Sequence, residues 1–241
     1  MGRLFRADRY KKDDNARQCR NKTNVNKILV RFVKPGDRCV ILDGRKCKST
    51  QTVINKIPNV AKIDIPNFTD AVYDIKKRYA NNDTVEATPL ALYDFVSSVP
   101  ARPYDVMYLD TCGHFTTSKQ DDLKSSIDVI LKRGLLKRDG GIIGTTVCKR
   151  GSTGQWESCD EYFNKRTFEK MTEVTYGTMK TTFYKHKSIH SCPDMVWDKI
   201  GGNTDVTCDE CSKKMEPYNV VYCCPKCEYD ICAICYNELN S

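Results

Sequence analysis

The sequence predicts an α/β fold, in which helices cover both faces of a mostly parallel sheet, followed by a small cysteine-rich module. Between residues 39 and 186, short apolar runs alternate with helical patterns of about ten residues, which is typical of βαβ units. Seven of the 14 cysteines then lie in the last 34 residues. A chain of 241 residues accommodates one domain of common size and one small module.

Strands are predicted where apolar runs end at polar or turn-forming residues. The five expected in parallel cover residues 39–43, 60–65, 84–87, 104–109 and 142–147. A closing pair, at 174–176 and 179–184, is expected to meet across Gly177. Right-handed crossovers then favour a doubly wound sheet, and ligands of such sheets bind beyond the carboxyl ends of the strands.

Helices are predicted between these strands from capping residues and from apolar stripes at helical spacing. The expected starts are Ser49 or Thr50, Thr69, Thr88-Pro89, and a capping box formed by Ser118 and Asp121. A further helix is expected around residues 161–171. The predicted organisation is a basic arm over 1–38, the α/β domain over 39–186, a linker over 187–207 and a zinc module over 208–241.

The positive charge is concentrated at the N-terminus. The net charge is +8, and residues 1–38 hold 12 Lys or Arg against four Asp, which leaves 27 basic and 27 acidic residues in the remainder. A basic arm on a neutral body predicts a polyanion partner, most often nucleic acid, with a solvated leader as the alternative. Apolar residues within 21–33 are expected to pack on the body. No apolar run approaches the roughly 20 residues of a membrane span, so no membrane partner is expected.

The cysteine spacing near the C-terminus predicts zinc. Six cysteines form three Cys-x2-Cys pairs: Cys208 and Cys211, Cys224 and Cys227, Cys232 and Cys235. Each such turn directs two thiolates at one point, and two turns complete a tetrahedral site. Disulfides are not expected, because Met1–Tyr10 is basic and has no apolar run that would suggest secretion. The sequence therefore favours structural zinc in a reducing compartment, cytoplasm or nucleus.

The module resembles a ZZ-type zinc finger in the segments Tyr222-Cys-Cys-Pro-Lys-Cys227 and Tyr229-Asp-Ile-Cys-Ala-Ile-Cys-Tyr236. The resemblance implies a cross-brace, in which the first and third pairs share one zinc and the second pair begins another site, and it implies a protein partner. ZZ fingers close the second site with downstream histidines, whereas this chain has none after His190. A second zinc would recruit Cys223, or His190 and Cys192; the alternative is one zinc, with the second pair left as thiols.

The body resembles class I S-adenosylmethionine-dependent methyltransferases over residues 38–186. Asp43 ends the first strand, Asp110 ends the fourth, Gly140-Gly141 precedes the fifth, and a strand pair closes the domain. The resemblance implies a Rossmann-like sheet and an S-adenosylmethionine site. The residues that it assigns to the cofactor are Asp43, Gly44, Asp64, Asn67, Thr88, Asp110 and Gly113.

Three residues near the end of the fourth strand are candidates for catalysis. Asp110 is expected beside the methyl group, with a loop-ordering carboxylate as the alternative. Cys112 lies where cytosine-5 methyltransferases place their nucleophile, although it is also typical of a small buried side chain. His114 could act as a base or lie on the surface. The first loop has one glycine and three basic residues before Ser49, so it could equally receive a phosphate.

Two functions follow from these patterns. The first is methyl transfer from S-adenosylmethionine to a nucleic acid that the basic arm holds. The second is a non-catalytic adaptor or virion-associated structural protein, since small methyltransferase-like domains joined to cysteine fingers resemble gene products of large DNA viruses. A fold alone does not decide between them.

Overall fold

The protein is described by a computed structural model over residues 16–115, 123–148, 155–187, 196–199, 208, 220–224 and 229–232. The chain divides into two compact units, residues 1–189 and 190–241. No helix within the described ranges is long and apolar enough to cross a membrane.

A seven-stranded sheet forms the centre of the first unit. Its strands are β1 Arg38–Ile41, β2 Lys62–Pro66, β3 Val85–Thr88, β4 Val106–Gly113, β5 Ile142–Cys148, β6 Phe168–Tyr176 and β7 Met179–His186. The order is β3-β2-β1-β4-β5-β7-β6. Strands β1 to β5 are parallel, while β7 is antiparallel to both β5 and β6. The predicted doubly wound, mostly parallel sheet is thus confirmed, with its closing pair across Gly177.

Helices cover both faces of this sheet. They are α1 Ala16–Phe32, α2 Lys48–Lys56, α3 Thr69–Arg78, α4 Leu92–Ser98, α5 Leu123–Lys132 and α6 Gln155–Asn164. Helices α1 to α3 contribute buried residues to one apolar core, and α4 to α6 contribute to the other. Each helix buries a stripe of apolar side chains against the strands, which is the arrangement that stabilises a doubly wound fold.

Helix α1 lies within the N-terminal basic segment. Its residues Val25 and Leu29 are 1 and 0% exposed, because their spacing of four places them on one side of the helix. Val33, which directly follows the helix, is 3% exposed. The ring of Phe32 lies 5.2 Å from that of Phe183 in β7. The expected packing of this apolar group on the body is therefore observed, and residues 16–32 are a helix of the first unit.

Two predicted helix positions are wrong. The helix expected over 161–171 is α6, which ends at Asn164, and Phe168 opens β6 opposite His186. Hydrogen bonding along β7 determines the structure of this edge segment more than its local pattern does. The helix expected at Thr88-Pro89 begins at Leu92, because Thr88 is still paired with Pro66 at the end of β3. The Ser118–Asp121 capping box lies outside the described residues.

In the second unit, the structure describes three antiparallel strands in the order β10-β9-β8. They are β8 Val196–Lys199, β9 Val220–Cys224 and β10 Tyr229–Cys232. Cys224 pairs with Tyr229 and Cys232 pairs with Val221, so two of the predicted ligands lie on one hairpin. Cys208 is buried. No group of three metal-ligating side chains occurs among the residues that the structure describes, and the remaining predicted ligands, Cys211, Cys227 and Cys235, lie outside that part of the chain.

Candidate functional site

Hydrogen bonds connect three of the predicted site residues at the carboxyl edge of the sheet. Asp43 follows β1, Asn67 follows β2 and Thr88 ends β3. The side-chain amide of Asn67 donates to the backbone carbonyl of Asp43 at 2.6 Å. The backbone N–H of Asn67 donates to the carbonyl of Thr88 at 3.0 Å. These bonds fix the ends of three neighbouring strands relative to one another.

The Asp43 carboxylate organises the loop between β1 and α2. It accepts the backbone N–H groups of Gly44 at 3.1 Å and of Thr50, in the first turn of α2, at 2.8 Å. The positive end of the helix dipole favours a carboxylate at this place. Burial raises the pKa of Asp43, the backbone hydrogen bond from Thr50 opposes that shift, and the nearby negative charge of Asp110 raises the pKa further. Asp43 therefore shapes the loop and lies close enough to Asp110 to interact with it.

The loop leaves free space at its glycine. A Cβ atom built on Gly44 meets no heavy atom within 4 Å. The guanidinium of Arg45 is directed to α3, where it lies 3.8 Å from Asp70 and 3.7 Å from Asp74. The Cys47 thiol is buried, and burial raises its pKa to about 12, so it stays neutral. A ligand can thus approach the backbone at Gly44, as glycine at such a turn permits.

Asp110 lies in the second half of β4, and its side chain is 11% exposed. The Lys22 ammonium of α1 is 3.3 Å from its Oδ2. The pairing of β4 with β5 shifts register between Leu109 and Gly113, so Asp110 and Cys112 belong to an irregular stretch of the strand. Irregularities of this kind redirect side chains and are frequent next to active sites.

His114 follows β4 and is half-buried. Its Nδ1 is buried and has no hydrogen-bond partner among the described residues, which is unusual for a buried polar atom. The next residue, Phe115, donates its backbone N–H to the side-chain oxygen of Gln155 at 2.8 Å. That bond fixes the loop against the start of α6. Trp156 donates its indole N–H to the Val147 carbonyl at 3.1 Å, which indicates a packing role.

Asp64 is separated from this group. It lies inside β2, is 6% exposed, and accepts a hydrogen bond from the Tyr104 hydroxyl at 2.8 Å. Burial raises the pKa of Asp64, and the bond from Tyr104 opposes that shift. Because Tyr104 precedes β4, this carboxylate is engaged at the amino-terminal side of β4, and the structure does not bring it together with Asp43.

The sequence prediction missed two residues at this edge. Phe68 directly follows Asn67 and is 53% exposed, although it is a large apolar side chain. The sequence did contain a signal for it, because Phe68 is an aromatic residue that does not belong to the apolar stripe of α3. Lys22, 88 positions from Asp110, had no such signal, because only the packing of α1 brings the two charges together.

Comparisons with known proteins identify the fold. No family model matches the chain, and no curated protein matches its sequence. The chain is similar to many solved structures, of which three illustrate the range. A candidate ribosomal RNA methylase from Clostridium thermocellum has a TM-score of 0.52 at 15% identity and covers 68% of this chain and 96% of its own. A candidate methyltransferase from Streptococcus mutans in complex with SAH has a TM-score of 0.52 at 12% identity. The match covers 68% of this chain and 97% of the Streptococcus mutans chain.

The third similar structure is the [4+2]-cyclase SpnF, with a TM-score of 0.52 at 13% identity, covering 71% of this chain and 83% of its own. The first unit therefore has the Rossmann-like fold of class I S-adenosylmethionine-dependent methyltransferases. The cyclase shows that proteins with this fold carry out other reactions as well, so the site must support any statement about chemistry.

Proposed function

We propose that the first unit binds S-adenosylmethionine at the carboxyl edge of its sheet and transfers the methyl group to a nucleic acid. The observation that supports this most is the meeting of Asp43, Asn67 and Thr88 next to Asp110, with open space at Gly44. Ligands of doubly wound sheets bind at this edge. The similar Streptococcus mutans structure, which contains SAH, adds support.

The residues at this edge fit the cofactor. Gly44 gives the methionine part room beside the backbone, and the exposed ring of Phe68 together with Thr88 offers a surface for the adenine. Asn67, directly after β2, would contact the ribose where an acidic residue is otherwise expected. When bound, the cofactor supplies an electrophilic methyl group on a sulfonium. Asp43 holds the loop that would contact it.

The residues after β4 would act on the acceptor. The Asp110 carboxylate can accept a hydrogen bond or a proton from an amino or hydroxyl group, and the Lys22 ammonium lies 3.3 Å from its Oδ2. His114, which follows β4, is a second candidate for contact with the acceptor. Cys112 would be the nucleophile only for a pyrimidine carbon. Holding the acceptor in line with the sulfonium supplies most of such catalysis.

Titration calorimetry with S-adenosylmethionine tests the cofactor site. We expect the wild-type protein to bind and Gly44→Val to bind about tenfold more weakly or worse, a loss of roughly 1.4 kcal/mol, because the branched side chain enters the ligand's space. Gly44→Ala is the graded control and should show a smaller loss. The thermal midpoint should not change for Gly44→Ala, since its Cβ meets no protein atom. Unchanged affinity in Gly44→Val would place the cofactor elsewhere.

The second function is a non-catalytic adaptor or virion-associated scaffold. Two observations favour it. The Asp64 carboxylate accepts a hydrogen bond from Tyr104, so β2 has no free acid to bind a ribose. The Asp110 carboxylate is already paired with the Lys22 ammonium. Absence of any binding heat from wild-type protein with S-adenosylmethionine would favour this function. The fold would then serve as a support for the basic arm and the cysteine module.

For the second unit we propose structural zinc, bound by Cys208, Cys211, Cys232 and Cys235, with Cys224 and Cys227 beginning a second site. Elemental analysis should find one or two zinc ions per chain. Cys232→Ser should lower that content, because the cross-brace loses one of its four thiolates. Cys159→Ser, at a buried cysteine of α6 in the first unit, is the control and should keep the full content. Equal zinc in wild type and Cys232→Ser would exclude the cross-brace.

A further inference from the structure

The helices on the two faces of the sheet differ in charge. Helices α1 and α2 contain no acidic residue. Their basic residues are Arg17, Arg20, Lys22, Lys27, Arg31, Lys48 and Lys56. The acidic residues of α4 to α6 are Asp94, Asp128, Glu157, Asp160 and Glu161, against Lys124 and Lys132. The sequence locates the excess charge in residues 1–38, whereas the structure extends the acid-free surface to α2.

Helices α1 and α2 form one continuous surface. The Ser49 hydroxyl donates to the side-chain oxygen of Asn26 at 2.9 Å, and both residues are buried between the helices. Lys27, Lys48 and Lys56 are exposed. No ion pair joins these three lysines to a carboxylate within the ranges that the structure describes. Their charges therefore face solvent and are not paired with a carboxylate of the described residues.

We propose that the α1–α2 surface, defined by Lys27, Lys48 and Lys56, is the docking surface for the phosphodiester backbone of a nucleic acid. This inference rests on the proposed nucleic-acid acceptor and states where the domain holds it. Lys22, also in α1, contacts Asp110, so one end of the surface reaches the candidate site. A backbone that follows α1 would thus be led to the carboxyl edge of the sheet.

The chemistry of this surface fits a nucleic acid better than a membrane. An interfacial membrane helix needs an apolar face turned outward, whereas the apolar residues Val25 and Leu29 of α1 are in the core. The large apolar side chains exposed in the described part of the chain are Phe68, Tyr73 and Met171, none of them on α1 or α2. Helix α1 has 17 residues and is about 26 Å long, while duplex DNA carries one charge per roughly 1.7 Å, so several phosphates can be contacted.

The test compares two triple variants of the full chain with the same change in net charge. The first combines Lys27→Gln, Lys48→Gln and Lys56→Gln on the α1–α2 surface. The control combines Lys132→Gln, Lys165→Gln and Lys187→Gln, three exposed lysines outside α1 to α3. The probes are 20-base-pair DNA and RNA duplexes and the corresponding single strands, and the dissociation constant is measured across a series of sodium chloride concentrations.

The α1–α2 triple should bind the probes more weakly, and the steepness of log K against log salt should fall by about 2 to 3. Binding releases fewer counterions when fewer phosphates are contacted. The control triple should keep the wild-type slope. Comparison of the four probes identifies the preferred backbone. Affinity for S-adenosylmethionine should be unchanged in Lys27→Gln combined with Lys56→Gln, since these two lysines lie outside the loop between β1 and α2.

Other outcomes overturn the inference in distinguishable ways. Equal losses in both triples would mean that net charge alone matters. Wild-type affinity in the α1–α2 triple would remove this surface but leave the proposed acceptor. If wild-type protein binds none of the probes, the nucleic-acid acceptor and the surface both fail. Binding to phosphatidylserine vesicles without binding to any probe would assign the surface to a membrane.

Discussion

Asp110→Ala is expected to abolish methyl transfer, with kcat lower by about 10²- to 10⁴-fold, the range for loss of a positioned acid–base group. Asp110 is near Asp43, at the edge where ligands of this fold bind, and only 11% of its side chain is exposed. The fold should survive, because its partner Lys22 is half exposed and can be solvated when the carboxylate is removed. The measurement is transfer of a labelled methyl group to RNA and DNA.

Two controls separate catalysis from binding and stability. Asp94→Ala removes an exposed carboxylate from α4 and should leave activity and thermal midpoint at wild-type values. Calorimetry on Asp110→Ala should still detect S-adenosylmethionine if this residue acts mainly on the acceptor. Full activity of Asp110→Ala would exclude it from the reaction, and an inactive wild type that binds the cofactor would favour the scaffold function.

The central strands could be predicted because strands buried on both faces are continuous apolar runs. The run over 142–147 was predicted as a strand, and β5 covers Ile142–Cys148 with every residue buried. Edge strand β6 is different. Its middle residues are mostly exposed, and only pairing with β7 makes it a strand, so the local pattern also allowed a helix.

The same contrast applies to the candidate site. Asp43, Asn67 and Thr88 could be placed together from sequence because parallel strands end at one edge. Asp64 could not be excluded from that group, since its partner Tyr104 is 40 residues away and its orientation depends on tertiary packing. The Lys22–Asp110 contact depends in the same way on where α1 packs.

Leu29→Ala is expected to lower the free energy of unfolding by about 2–5 kcal/mol, the usual cost of a cavity at a buried leucine. Leu29 is fully buried in the core beneath α1 to α3. Urea denaturation of wild type and variant measures the difference. Lys27→Ala, two positions earlier on the exposed side of α1, is the matched control and should change stability by less than about 0.5 kcal/mol.

The size of this effect decides how the basic segment can be studied. If α1 is part of the core, deletion of residues 1–38 removes Val25, Leu29 and Val33 together with Arg38, the first residue of β1. Loss of nucleic-acid affinity in such a truncated protein would then report unfolding as much as loss of charge. A cost below about 1 kcal/mol for Leu29→Ala would contradict the packing of α1 and make the truncation informative. With the expected cost, only surface substitutions that leave Leu29 in place can separate charge from fold.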